Sequence, residues 1–178
     1  MVDVWRQAWA GHGEFSGRFW HVDDLAGALP AVRHGGPPLW LAGGDTPRVV
    51  ARVAESYDGW LPYLPDADAY ALAWERTRER TAREITPALY ATLNISDDRS
   101  RAREELDAYA RAYYRQPLDV MSSIQACRSG SVNECLHWLG RYVDAGARHL
   151  ILRIGSLDAH PDMVAERLLP ALRSLPVK

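Results

Sequence analysis

An excess of one charge sign is lacking in this sequence. Its 21 Lys and Arg stand against 23 Asp and Glu, a net charge of -2 over 178 residues. With the two signs interspersed, nothing marks nucleic acid or an anionic membrane as partner. Long apolar runs are also lacking, so no stretch reads as a bilayer span. The opening MVDVWRQAW has no apolar core of the secretory kind, and the expectation is a cytoplasmic protein. Cysteine is reduced to Cys127 and Cys135, whose spacing fits neither zinc nor redox motifs. Cys135 falls in a helical pattern and reads as a small buried apolar residue. The histidines (His12, His21, His34, His137, His149 and His160) form no HxxxH or HExxH pair, so no metal is expected. Neither GxGxxG nor a Walker GKS or GKT is present.

Aromatic residues are plentiful, with 7 Trp and 8 Tyr. They suit stacking around a flat ligand, but a hydrophobic core and oligomer contacts account for them equally. The length suits one well-buried domain, taken as 1–178. Residues 1–36 form a lead-in, with a short helix over Asp3 to Ala10 and a hairpin-like excursion around GEFSGRFWHV. The stretch from there to Pro37 is irregular and rich in Gly and Pro.

From 37 to 178 strands and helices alternate. Leu39 to Ala42 is a compact strand, and Thr46 caps a helix to Ser56 that carries Pro47 at its first position. Asp58 to Leu61 is a strand, and Asp66 or Asp68 opens a helix through Thr77. Pro87 to Ile95 is the longest strand, and Asp97 or Asp98 starts a helix to Tyr114. Gln116 to Ser129 reads as a loop with one helical turn. Ser131-Val-Asn-Glu134 is a capping box whose helix stops at Ala145-Gly146. His149 to Ile154 is the last strand and Pro161 to Leu175 the last helix. Strands each followed by a helix predict an α/β fold of parallel βα units with right-handed crossovers.

Ligands gather at the carboxyl ends of such strands. At the first, Gly43 and Gly44 let backbone approach a ligand, the following helix start favours an anion such as phosphate, and Thr46 offers a hydroxyl. Asp45 opposes this unless it points away, and a plain tight turn needs the same glycines. Arg153, ending the last strand, suits an anionic substrate or cofactor tail, or a neighbouring carboxylate. Asn94 bonds a ligand or caps its own turn. Trp60 and Tyr63 wall a flat ring or belong to the core. His149 reads as structural, and no catalytic base is legible.

The segments PPLWLAGG, RVVARVAESYDGWLPY, ITPALYATLNISDDRSRAREE and YVDAGARHLILR together resemble the second half of the luciferase-like monooxygenases. WRQAWAGHGEFSGRFWHVDDL is similar to the segment ahead of that family's fifth strand. DGW and AGxRHxxLR are the more specific parts of the resemblance. It implies strands five to eight of a (β/α)8 TIM barrel, working with FMN or a deazaflavin to move hydride or activate oxygen. It also implies that Gly43, Gly44, Asp45 and Thr46 hold the cofactor phosphate and that Arg153 is a basic position near the eighth strand. Strands one to four, which bed the flavin ring in the family, are not matched, and a full barrel needs about 250 residues. The resemblance therefore implies a half-barrel with raw edges, completed by a homodimer, by a separately encoded N-terminal half, or by the lead-in folding over the open face. The expected function is an oxidoreductase of monooxygenase type, active as an assembled barrel. The alternative is a non-catalytic binding, regulatory or scaffold half-barrel.

Overall fold

The computed structural model describes residues 1–25, 27, 31–158 and 162–175. His160 and the expected helix start at Pro161 lie outside the described residues, as do Ala26 and Ala28 to Pro30 of the irregular stretch. The chain divides into two compact units, Met1–Leu39 and Trp40–Lys178.

In the first unit, helix α1 spans Val2–Trp9. Strands β1 (Phe15–Ser16) and β2 (His21–Val22) form an antiparallel pair, Phe15 opposite Val22. Gly17 N–H closes the hairpin on Trp20 C=O at 2.9 Å. Gly36 has φ +88, and its bare α-carbon admits the Trp9 ring. A side chain there would meet both the ring and a left-handed backbone.

The second unit holds a parallel sheet of β3 (Trp40–Ala42), β4 (Gly59–Leu61), β5 (Thr86–Ile95), β6 (Cys127–Gly130) and β7 (His149–Ile154). Its helices are α2 (Pro47–Ser56), α3 (Ala67–Glu79), α4 (Arg99–Tyr114), α5 (Leu118–Ile124), α6 (Val132–Asp144) and α7 (Leu169–Arg173). A π-helical turn, Met163–Leu168, leads into α7. Pro170 has no N–H to offer the carbonyl four residues back, which suits this wider turn.

Strands β3, β4, β5 and β7 lie side by side in chain order, all parallel. The ten-residue β5 is longer than β4, and β6 continues β4 along the same edge. Tyr90 N–H bonds Pro62 C=O at 2.8 Å, and Thr92 N–H bonds Ala126 C=O at 2.8 Å. Ala126 N–H in turn bonds Tyr63 C=O at 2.7 Å, joining the two short strands end to end. The Gln116 to Ser129 region, expected as a loop with one helical turn, thus holds the seven-residue α5 and the start of β6, a strand that was not expected. CRSG has no apolar alternation of its own, and it becomes a strand because β5 offers unpaired backbone groups.

Side chains alternate along β5, so its two faces meet different layers. Leu89, Ala91 and Leu93 join Val53, Trp60, Tyr70, Leu139 and Tyr142 in the main core. Thr92 and Asn94 belong to the opposite face. There Leu106, Tyr109 and Ala110 of α4 pack with Leu118 and Met121 of α5. Local caps act as expected: Asp66, Asp98 and Ser131 each accept a first-turn backbone N–H, and the Ser131–Glu134 box is complete.

Candidate functional site

The turn between β3 and α2 is built from local chemistry and one long-range bond. Thr46 Oγ1 accepts Val49 N–H at 3.3 Å, and Pro47 occupies the first helical position. Gly43 N–H bonds Leu61 C=O at 3.3 Å, carrying the β3–β4 ladder one step into the turn. A β-carbon on Gly43 would press on Val49 at 3.2 Å, whereas one on Gly44 would meet nothing within 4 Å. The Gly44 backbone therefore borders open space. No acidic residue stands in the first turn of α2, so the partial positive charge there is uncancelled within the helix. Asp45, half-buried in the turn, is the one carboxylate among its residues.

Trp60, expected as core or as ring wall, is 0 % exposed. Its ring stacks between Tyr70 and Trp74 at centroid distances of 5.0 and 6.4 Å. Its Nε1–H reaches the Gly44 carbonyl at 3.3 Å. The tryptophan thus supports the glycine turn from behind. Tyr63 is exposed just beyond β4, close in the chain to Leu61, which the turn engages.

Arg153 and Asn94 lie on the last two long strands, away from the turn in strand order. Arg153 Nη1 donates to Tyr90 Oη at 3.1 Å, and its guanidinium lies 3.9 Å from the Tyr113 ring centre and 5.5 Å from that of Tyr109. The hydrogen bond to Tyr90 pushes the Arg153 pKa up, and burial pushes those of Tyr90 and Tyr109 up. Arg153 therefore ties α4 to the sheet through tyrosines, with no carboxylate needed. Asn94 is buried, and its Nδ2 donates to Glu105 Oε2 and Gly155 C=O, each at 3.1 Å. Glu105 also receives Arg101 Nε at 2.7 Å. With Ser96, Ser156 and Ile154 these residues border a cavity of about 250 Å³ at the carboxyl ends of β5 and β7.

Tyr90, Glu105, Tyr109 and Tyr113 were not legible as partners in sequence. Arg101 and Glu105 show only the spacing of an ordinary helical ion pair, and the tyrosines show only helical periodicity. His149 lies edge-on to Trp40 at 4.8 Å, consistent with a structural place. Among the described residues no group of three or more His, Cys, Asp or Glu could hold a metal ion, and no helix is long and apolar enough to cross a membrane.

The model of the family described as luciferase-like monooxygenase matches residues 1–168. The chain belongs to this family. No curated protein sequence matches it. Among solved structures, this luciferase-like chain is similar to an F420-dependent secondary alcohol dehydrogenase in complex with an F420-acetone adduct. That likeness has a TM-score of 0.74 at 17% identity, over 97% of this chain and 60% of that one. It is also similar to the coenzyme F420-dependent tetrahydromethanopterin reductase of Methanopyrus kandleri, with a TM-score of 0.68 at 14% identity, over 96% of this chain and 61% of that one. The monooxygenase RslO1 of Streptomyces bottropensis gives 0.69 at 14% identity, over 95% and 59%. The chain thus spans about 60% of the length of these enzymes. At such identities the likeness establishes an α/β fold akin to luciferase-like barrel enzymes.

Proposed function

We propose that this chain supplies the phosphate-holding half of a flavin- or deazaflavin-dependent oxidoreductase of monooxygenase type. In this reading its parallel strands close into an eight-stranded barrel with further strands, contributed by a second copy or by a separate N-terminal half-barrel. The observation that carries the reading is the open Gly43–Thr46 turn at the carboxyl edge of the sheet, ahead of a capped helix free of first-turn acids. A phosphate fits there, because Gly44 leaves its approach clear and the helix start favours negative charge. Asp45 must then turn its carboxylate outward. The F420 and FMN of structurally similar proteins agree with this choice.

The residues of the chain bind and orient. Gly43, Gly44 and Thr46 hold the phosphate, and Tyr63 stands beside them as a wall. Asn94 and Arg153 border the rim further along the sheet, and Arg153 keeps donors beyond those engaged by Tyr90 and Tyr113. The cofactor, when bound, supplies the redox chemistry. The small-molecule substrate enters from the same carboxyl edge, in a cytoplasmic setting.

One observation favours a second reading. Leu106 and Tyr109 of α4 pack over Thr92 and Gly155, so this part of the sheet is filled by the chain itself. A half-barrel with that face closed serves equally as a non-catalytic binding or scaffold subunit.

Titration of the purified protein with FMN and with F420, read by absorbance, mass and thermal unfolding, separates the two. A dimer-sized particle that takes up cofactor and loses it in Gly44→Asp supports the oxidoreductase reading. Ligand at 100 times its dissociation constant should add about 2.7 kcal/mol of stability. A protein that neither cofactor stabilises sinks the proposal. Binding without turnover in the assembled particle selects the non-catalytic alternative.

A further inference from the structure

A second polar pocket lies away from the glycine turn, between the start of α4, helix α5 and strand β6. It has a volume of about 370 Å³ and is lined by Arg99, Arg103, Arg128, Ser122, Ser129 and Glu134. The chain as a whole is slightly acidic, yet three arginines line this pocket beside a single lining carboxylate, Glu134. We propose that this pocket binds a phosphoryl group, at a site independent of the glycine turn.

Carboxylates hold the Arg99 and Arg103 side chains, and the strand register places the backbone of Arg128. Glu134 Oε2 is fixed by the Ser131 N–H and hydroxyl, both at 2.9 Å, and its Oε1 receives Arg99 Nη2 at 2.7 Å. Asp119 holds Arg103 through Nη2 at 2.6 Å. Arg128 is set by the β6 ladder, opposite Leu93. A guanidinium offers five N–H donors, so a single ion pair leaves Arg99 and Arg103 with donors to spare. Arg128, Ser122 and Ser129 make no side-chain hydrogen bond among the described residues.

The two carboxylates do not cancel the site. Glu134, which feels both Arg99 and Arg128, and Asp119 bring two negative charges against three positive ones, so a net positive charge remains for the ligand. A phosphoryl group accepts several charge-assisted hydrogen bonds at once and suits the forked geometry of arginine. A neutral ligand would leave that charge unused. Preorganised donors also reduce the ordering cost of binding. The thiol of Cys127, also on the wall, stays protonated: burial pushes its pKa up to about 11. It takes no part in the binding.

The test uses the whole chain. Inorganic phosphate and FMN are titrated separately by calorimetry against the parent, Arg128→Ala, Arg103→Gln and Gly44→Asp, with circular dichroism confirming the fold of each. Saturable phosphate binding is expected, weakened about tenfold in Arg128→Ala, less in Arg103→Gln, and unchanged in Gly44→Asp. If FMN displaces this phosphate, the single FMN phosphate occupies the pocket and the glycine-turn reading fails. If FMN leaves it bound, the occupant is a different phosphorylated ligand. Absence of saturable phosphate binding, or binding indifferent to Arg128→Ala, overturns the proposal. Loss of phosphate binding in Gly44→Asp with none in Arg128→Ala also overturns it, while leaving the turn reading intact.

Discussion

The indole N–H of Trp60 bonds the carbonyl of Gly44 at 3.3 Å, joining the core of the sheet to the turn that would hold phosphate. A residue at the centre of the aromatic core thereby sets the shape of the candidate site. Trp60→Phe keeps an aromatic ring and removes the donor. It should cost about 1–3 kcal/mol in denaturant unfolding and weaken phosphate-bearing ligands at the turn. An affinity that stays unchanged while stability drops would separate the two roles and contradict the coupling.

Arg153 acts on α4 through tyrosines. Arg153→Met should lose the Tyr90 hydrogen bond and the stacking on Tyr113, lowering stability by about 2 kcal/mol. Amide exchange should quicken in α4 more than in α3 or α6. Tyr109→Phe should behave oppositely, because the Tyr109 hydroxyl is buried with no hydrogen-bond partner. Removing it spares an unpaired polar group and should leave stability unchanged or raised by about 1 kcal/mol. A clear loss of stability in Tyr109→Phe would show that a bound water or ligand serves that hydroxyl.

Gly155 follows β7 beside Leu106 and Tyr109 of α4. An added β-carbon would meet Leu106 and Thr92. Gly155→Ala should therefore push α4 from the sheet at a cost of about 1–3 kcal/mol. Gly44→Ala, with open space around it, should cost far less in the same unfolding assay. Equal losses would refute the packing argument.

Stability should fall at both ends of the pH scale. Hydrogen bonds from Ser131 hold the Glu134 carboxyl below its ordinary range, and Arg111 with Leu118 N–H does the same for Asp107. Their contribution is complete above the unfolded values of about 4, and is lost as pH falls through the lower folded values. Burial pushes the Cys127 and Cys135 thiols up to about 11. That contribution is complete below the unfolded value of about 8.5, and is lost as pH rises through the folded one. Urea midpoints across pH check both limbs. Glu134→Gln should flatten the acid side, and the buried Cys135 thiol should resist a thiol reagent at about pH 8 until urea is added. Rapid labelling of Cys135 in the native protein would contradict its burial.

Much of the fold was legible because its signals are local. Thr46-Pro47 starts α2, Ser131 and Glu134 start α6, and Gly146 ends that helix beyond Ala145, each through groups a few residues apart. The apolar runs at β3, β5 and β7 read as strands for the same reason. Strand β6 did not, since CRSG is extended only through the edge that β5 lends it.

The sequence by itself determined the alternation of parallel strands with capped helices, the family, and an open glycine turn ahead of α2. Backbone conformation, capping and hydrophobic period act over a few residues, and a linear chain records them directly. Only the tertiary structure decided that Trp60 braces the turn from the core, that Arg153 is clasped by Tyr90 and Tyr113, and that Arg99, Arg103 and Arg128 share one pocket. Those partners lie far apart in the chain or on separate elements. They meet only when β5 is paired on both edges and α4 is laid across one of its faces.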